Sequence, residues 1–129
     1  MLLEKQITSI ELSRRLKKLG VKQDSYFKWV DGELWDETQQ SDYETNDTVP
    51  RSKWIAAFTV AELGEITGEG LIGRSGTHTF TVGYEYRDHI LESNETHYES
   101  ADTEADARAK MLIYLVENGL WTPKFSEGV

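Results

Sequence analysis

The spacing of apolar residues predicts a first helix in residues 8–20. Three leucines recur there at i, i+4 and i+7 and therefore share one face of the helix. These residues are Leu12, Leu16 and Leu19. Thr8 or Ser9 can cap the start, and Gly20 supplies the left-handed residue that ends the helix.

A second, shorter helix is predicted in residues 57–66. Thr59, followed three residues later by Glu62, forms a capping box. Phe58 and Leu63 match the hydrophobic staple that accompanies such a box. Val60, Leu63 and Ile66 are expected to face inward, and Gly64 weakens the interior of the helix, so this helix is short and needs tertiary packing.

The strongest helical pattern fills residues 101–119, with Thr103 as the expected N-cap. An inward stripe is expected at Ala105, Ala109, Leu112 and Val116. Two i, i+4 ion pairs are expected on its surface, Glu104 with Arg108 and Asp106 with Lys110. Because residues 111–116 are apolar almost all round, this half should be the most buried part of the protein.

Alternating polar and apolar positions predict strands between the helices. Residues 26–30 alternate, and Asp31-Gly32 is a two-residue hairpin signal that leads into a returning strand. Residues 77–87 alternate more clearly, with Phe80, Val82, Tyr84 and Tyr86 on one face. A second strand is expected in residues 88–100, with a turn near residues 93–94.

Two segments read as loops. Residues 38–53 are polar and contain Pro50, which is typical of a long loop. Residues 67–76, "TGEGLIGRSG", are rich in glycine and are expected to turn the chain. No internal repeat is visible.

This order of elements, without alternating βαβ units, predicts an α+β fold. We expect an antiparallel β-sheet covered on one face by an N-terminal helix, a short central helix and a long C-terminal helix. A length of 129 residues corresponds to a single domain spanning 1–129. The absence of cysteine, of a signal-peptide pattern and of a long apolar run favours a cytoplasmic protein without a membrane segment.

The formal net charge of −9 is distributed unevenly. Residues 1–30 carry seven Lys or Arg against three acids, a balance of +4, so the remaining residues carry −13. Residues 31–47 contain seven acids and no base, and residues 85–106 contain eight acids against Arg87 alone. Such segments are either solvated surface or a field that steers a basic partner.

No catalytic constellation or cofactor motif emerges. His89 with Glu92, or His97 with Glu99, could contribute to a metal site, but no HExxH or paired-histidine pattern supports one, and none is predicted. The glycines of residues 67–76 suggest a phosphate loop, yet the Lys-Ser/Thr signature is missing. We therefore expect no catalytic residues, no metal and no cofactor.

Direct nucleic-acid binding is not expected either. The basic face of the first helix lies near Tyr26, Phe27 and Trp29 in sequence, and cations with stackable rings suit single strands. A pI near 4.8 argues against it, because dedicated nucleic-acid binders are usually basic overall.

Two kinds of binding surface are considered. The first is an acidic and aromatic interaction surface for a macromolecule, since Trp and Tyr are enriched at binding hot spots. Its candidate residues are Trp35, Asp36, Glu37, Tyr43, Glu44, Glu92, Glu95 and Glu99. The alternative is a small-ligand site for a nucleotide signal, formed by Arg74, Trp54 and Tyr84.

Three blocks carry a resemblance: "ELSRRLKKLGVKQDSYFKWV", "AFTVAELGEI" and "ADTEADARAKMLIYLVENGL". Together, these blocks resemble a family of uncharacterised small proteins of tailed bacteriophages and prophages. The resemblance implies a phage accessory protein made in the bacterial host, and it transfers no functional residue. It favours a non-enzymatic interaction protein whose partner is a host or phage protein.

Overall fold

The computed structural model describes residues 5–36, 50–67, 71–75, 79–88 and 90–120. The helices are α1 (Ile10–Lys18), α2 (Val60–Thr67) and α3 (Glu104–Glu117), with a 3₁₀ turn η1 (Arg51–Lys53). The strands are β1 (Phe27–Val30), β2 (Glu33–Trp35), β3 (Ile55–Ala57), β4 (Leu71–Ser75), β5 (Phe80–Asp88) and β6 (Ser93–Ala101). All strand pairs are antiparallel, so the predicted α+β class is confirmed.

The strands divide into two three-stranded sheets, whereas the sequence pattern suggested one. β1 lies between β2 and β3 in the first sheet, and β5 lies between β4 and β6 in the second. The second half of α3, residues 111–116, is apolar almost all round and is covered on two sides, by the core beside the first sheet and by the core beneath the second.

Accordingly, α3 contributes to two hydrophobic cores. The first combines its Ala109, Leu112 and Ile113 with residues of α1, β3 and α2. The second combines its Ala107, Met111 and Leu115 with Val82 of β5. The predicted burial of the second half of the helix is confirmed, since Met111 and Leu112 are fully buried.

The start of α1 is organised by hydroxyl groups. Ser9 is the N-cap, and its Oγ accepts a hydrogen bond from the Leu12 amide at 3.4 Å. Thr8, the other predicted cap, is buried instead. Its Oγ1 accepts a hydrogen bond from the Phe58 amide at 3.0 Å and lies 2.7 Å from the Ser13 Oγ. These bonds tie α1 to the chain just before α2.

Several local signals in the sequence are confirmed. Asp31 and Gly32, with φ of 52° and 82°, form the turn between β1 and β2. Thr59 and Glu62 form the capping box, because the Thr59 amide donates to Glu62 Oε1 at 2.9 Å and the Glu62 amide donates to Thr59 Oγ1 at 3.1 Å. Gly119, with φ of 69°, follows the end of α3.

The N-terminus of α3 follows the sequence pattern only in part. Thr103 caps it by accepting from the Asp106 amide at 3.2 Å. The predicted ion pair of Glu104 with Arg108 forms at 2.8 Å. The carboxylate of Asp106 instead accepts from a backbone amide of the α1 cap, and Lys110 donates to a carbonyl of β6.

Three sequence predictions are corrected by the structure. Ala57, predicted to begin the segment of the second helix, instead ends strand β3, because Ile55–Ala57 pair with β1. The glycine-rich residues 67–76 include strand β4 rather than only a turn or a phosphate loop. The turn between β5 and β6 lies at residues 90–92, not near residues 93–94. In each case long-range pairing outweighs local propensity.

Most of the predicted loop at residues 38–53 lies outside the described residues, and its end forms η1. Within the described ranges, no helix combines the length and apolar character that a membrane crossing requires.

Candidate functional site

The outer face of the second sheet points away from α3. β5 and β6 alternate in phase, so Val82, Tyr84 and Tyr86 share the α3 side with Glu99, His97 and Glu95. The opposite positions on β6 are exposed: Asn94, Thr96, Tyr98 and Ser100. Among these exposed positions of β6, Tyr98 has the largest side chain.

Tyr98 lies over a glycine on the neighbouring strand. Gly83 is its direct partner in the register, and a Cβ on Gly83 would meet Tyr98 Cε1 at 2.9 Å. The ring thus occupies the space that a side chain at Gly83 would fill, and this shields the glycine backbone. Even so, Tyr98 is 64% exposed and offers an aromatic contact surface.

The outer edge of β6 is not paired with any described strand. Thr81 Oγ1 and Ser100 Oγ are 2.8 Å apart, as expected for a non-hydrogen-bonded pair in which the backbone groups point outward. The Ser100 carbonyl accordingly accepts a hydrogen bond of 2.9 Å from Nζ of Lys110, a residue of α3. By alternation, the backbone groups of Asn94, Thr96 and Tyr98 also point away from β5.

The charges of β6 and its two flanks are acidic, whereas two bases come from neighbouring elements: Lys110 of α3 contacts the edge at Ser100, and Arg87 of β5 is the register partner of Asn94. Residues 90–102 contain four acids and no Lys or Arg. Glu92 in the turn and Asp102 after β6 are exposed, whereas Glu95 and Glu99 are half-buried on the α3 side. Glu85 is exposed on the outer face opposite Thr96.

His97 and Glu99 form a compact polar group beneath α3. His97 Nε2 lies 2.6 Å from Glu99 Oε2, and the imidazole stacks on the Tyr114 ring at 3.5 Å with an interplanar angle of 7°. Across the described ranges, no group of three or more metal-ligating side chains converges. The stacking of His97 on Tyr114 holds β6 against α3.

The three residues considered for a small-ligand site do not meet. Trp54 is only 5% exposed and packs with Val30 and Trp35 beside the first sheet. Tyr84 packs against the second core, with its ring 6.3 Å from that of Tyr86. Arg74 lies in β4 opposite Thr81, and its side chain is outside the described part of the structure. Burial removes Trp54 as a stacking surface.

The residues considered for an interaction surface are also dispersed. Trp35 and Asp36 are half-buried at the end of the first hairpin. Glu37, Tyr43 and Glu44 lie outside the described residues. Glu92, Glu95 and Glu99 do share one hairpin, and they flank the β6 edge.

Tyr98 and the β6 edge were not among the residues chosen from sequence. The available signal was the phase of "SNETHYESA", in which Tyr98 alternates with His97 and Glu99 and therefore points to the opposite face. That this face is uncovered follows only from the arrangement of α3.

Comparison of the chain with protein-family models, with curated proteins and with solved structures found no match.

Proposed function

We propose that this chain is a non-enzymatic interaction protein that binds an extended, basic segment of a partner protein along the outer edge of β6. The observation that carries the proposal is the nine-residue strand β6, whose outer edge pairs with no described strand and lies beside the exposed Tyr98. An added strand gains affinity from main-chain hydrogen bonds and specificity from alternate side chains.

The acids around β6 indicate the charge of the partner. Residues 90–102 carry four acids and no Lys or Arg, and Glu92 and Asp102 among them are exposed, so a segment with lysine or arginine is favoured near these two carboxylates. Exposed charges such as Glu92 and Asp102 are screened by salt, so association should weaken as ionic strength rises.

The same acids argue against a second copy of this chain as the occupant. Edge strands that carry charges resist pairing with their own kind. In an antiparallel edge-to-edge dimer of β6 centred on His97, Glu95 of one copy would face Glu99 of the other. A basic partner has no such repulsion.

The biological setting belongs to the proposal. The resemblance to small proteins of tailed bacteriophages and prophages supports an accessory protein acting in the bacterial cytoplasm on a host or phage protein. Tyr98 then serves as the aromatic anchor, because exposed tyrosines are frequent hot spots of binding energy.

The test is a titration of the ¹⁵N-labelled protein with a peptide of alternating lysine and valine, followed by NMR. We expect the largest amide shifts at Asn94, Thr96 and Tyr98. A peptide N-methylated on the amides of one edge should bind at least about tenfold more weakly, since it cannot form the ladder. A glutamate–valine peptide provides the charge control.

Matched protein variants separate this edge from general acidity. Glu92→Gln with Asp102→Asn should weaken peptide binding, whereas Glu33→Gln with Glu65→Gln removes the same charge elsewhere and should not. Tyr98→Ser should also weaken it. Equal loss in both charge pairs, or equal affinity for the N-methylated peptide, would overturn the proposal.

A further inference from the structure

A cleft of about 350 Å³ lies between α1 and the first sheet, remote in sequence from β6. Its walls include Arg14 of α1, Lys53 of η1 and Trp29 of β1. Its volume falls in the range of small-molecule sites. Although the protein is acidic overall, the described lining of this cleft has two cations, Arg14 and Lys53, and one carboxylate, that of Asp31.

The two cations remain available for a ligand. Among the described residues, neither Arg14 nor Lys53 forms an ion pair or a side-chain hydrogen bond. Both are exposed, whereas Arg15, next to Arg14, lies 3.5 Å from Glu117. Unpaired Arg and Lys side chains at one cleft are suited to an anionic group.

The segment that carries Lys53 is fixed to α1. Lys17 Nζ donates to the carbonyl of Trp54 at 2.8 Å and also to that of Ser52. The Lys53 amide donates to the Pro50 carbonyl at 2.9 Å. The backbone around Lys53 is thus held in place by the Lys17 ammonium and by a backbone hydrogen bond. Only the side chains of the two cations have to be ordered when a ligand binds.

The wall of the cleft offers an aromatic surface. Trp29 Nε1 donates to the Thr8 carbonyl at 3.1 Å, which orients the indole. Ile55 is the register partner of Trp29 and lies on the same side of the sheet. Gly32, with φ of 82°, has no atom within 4 Å of the Cβ position and leaves this side of the cleft open.

We infer that this cleft binds a nucleoside monophosphate. The base would stack on Trp29 beside the apolar Ile10 and Ile55, and the phosphate would lie between Arg14 and Lys53. Asp31 accepts hydrogen bonds from ribose hydroxyls or base amines and disfavours additional phosphates. The net charge of −9 and the cleft's limited size favour a single nucleotide over a nucleic-acid strand.

The test is isothermal titration calorimetry of the whole chain with AMP, GMP and UMP, with adenosine and inorganic phosphate as separate arms. At least one monophosphate should bind, with quenching of tryptophan fluorescence. Adenosine and phosphate alone should each bind at least about tenfold more weakly. No binding by any of the three monophosphates up to about 5 mM overturns the inference.

Single-charge variants inside and outside the cleft sharpen this test. Arg14→Gln and Lys53→Gln should each weaken monophosphate binding by about tenfold or more. Lys18→Gln removes an exposed charge of α1 outside the cleft and should leave affinity unchanged. Equal loss in Lys18→Gln, equal affinity for inorganic phosphate, or tighter binding of a short single-stranded oligonucleotide than of every monophosphate overturns it. The lysine–valine peptide should not displace the nucleotide.

Discussion

The backbone amide of Ser9 donates a hydrogen bond of 2.7 Å to Oδ1 of Asp106, 97 residues further along the chain. Ser9 caps α1, and Asp106 lies in the first turn of α3, so one carboxylate joins the beginnings of two helices. Both helix dipoles favour the negative charge at this point. The bond explains why Asp106 does not form the ion pair with Lys110 that its spacing predicts.

Replacement of Asp106 by alanine should lower the free energy of unfolding by about 1–3 kcal/mol, because the Ser9 amide loses a charged acceptor. Asp106→Asn keeps an acceptor oxygen and should cost less. Urea denaturation measures both. Asp102→Asn is the control, since Asp102 is exposed. If Asp102→Asn lowered the free energy of unfolding as much as Asp106→Ala does, a general charge effect would be responsible instead of the Ser9 hydrogen bond.

Gly73→Ala should destabilise the second sheet. A Cβ at Gly73 would lie 2.8 Å from Phe80 Cζ and 3.2 Å from an Arg108 guanidinium nitrogen. Phe80 packs against the second core and has limited room to move. We expect a loss of about 1–3 kcal/mol, as for other overpacked sites, measured by thermal or urea unfolding. An unchanged midpoint would show that Phe80 yields freely.

Gly64→Ala should have the opposite sign. Gly64 lies inside α2, and nothing lies within 4 Å of its Cβ position. Alanine is favoured over glycine in a helix interior by about 1 kcal/mol, so the variant should unfold at a higher urea concentration. The two glycine-to-alanine variants therefore form a matched pair: the new Cβ meets Phe80 at Gly73 and meets no atom at Gly64. A destabilised Gly64→Ala protein would contradict the described geometry of α2.

Amide hydrogen exchange should alternate along β6. The amides of Asn94, Thr96 and Tyr98 point outward and should exchange quickly, whereas those of Glu95, His97 and Glu99 bond to β5 and should be protected. NMR after transfer into deuterated water gives these rates residue by residue. Uniform protection along β6 would mean that its outer edge is already paired, which would also remove the surface proposed for partner binding.

Local signals in the sequence predicted much of the fold. The Asp31-Gly32 turn, the capping box of Thr59 with Glu62 and the cap at Thr103 each depend on residues a few positions apart, and each forms. β3 was missed because a three-residue strand has no local signature without its partner β1. Gly73 was read as a turn glycine because the pairing of β4 with β5 is not visible in the local sequence. In the structure Gly73 lies within β4, where its small size makes room for Phe80.

The candidate binding surfaces were less predictable. Trp54 was predicted to be exposed because it follows a polar stretch of sequence, but packing against Val30 buries it. Arg14 and Lys53 are 39 positions apart, and only the contact of η1 with α1 brings them to one cleft. Surfaces of this kind are defined by which side chains stay uncovered, and this depends on every element packed nearby.

By itself, the sequence determined the helices, the clearest strand, the Asp31-Gly32 turn and the α+β class, because hydrophobic periodicity and capping act over a few residues. Tertiary structure alone decided the division into two sheets, the edge of β6 that no described strand covers, and the cleft between Arg14 and Lys53. The first two features depend on α3 burying two of its sides at once, and the cleft depends on the contact of η1 with α1. Contacts between distant segments have no counterpart in local spacing.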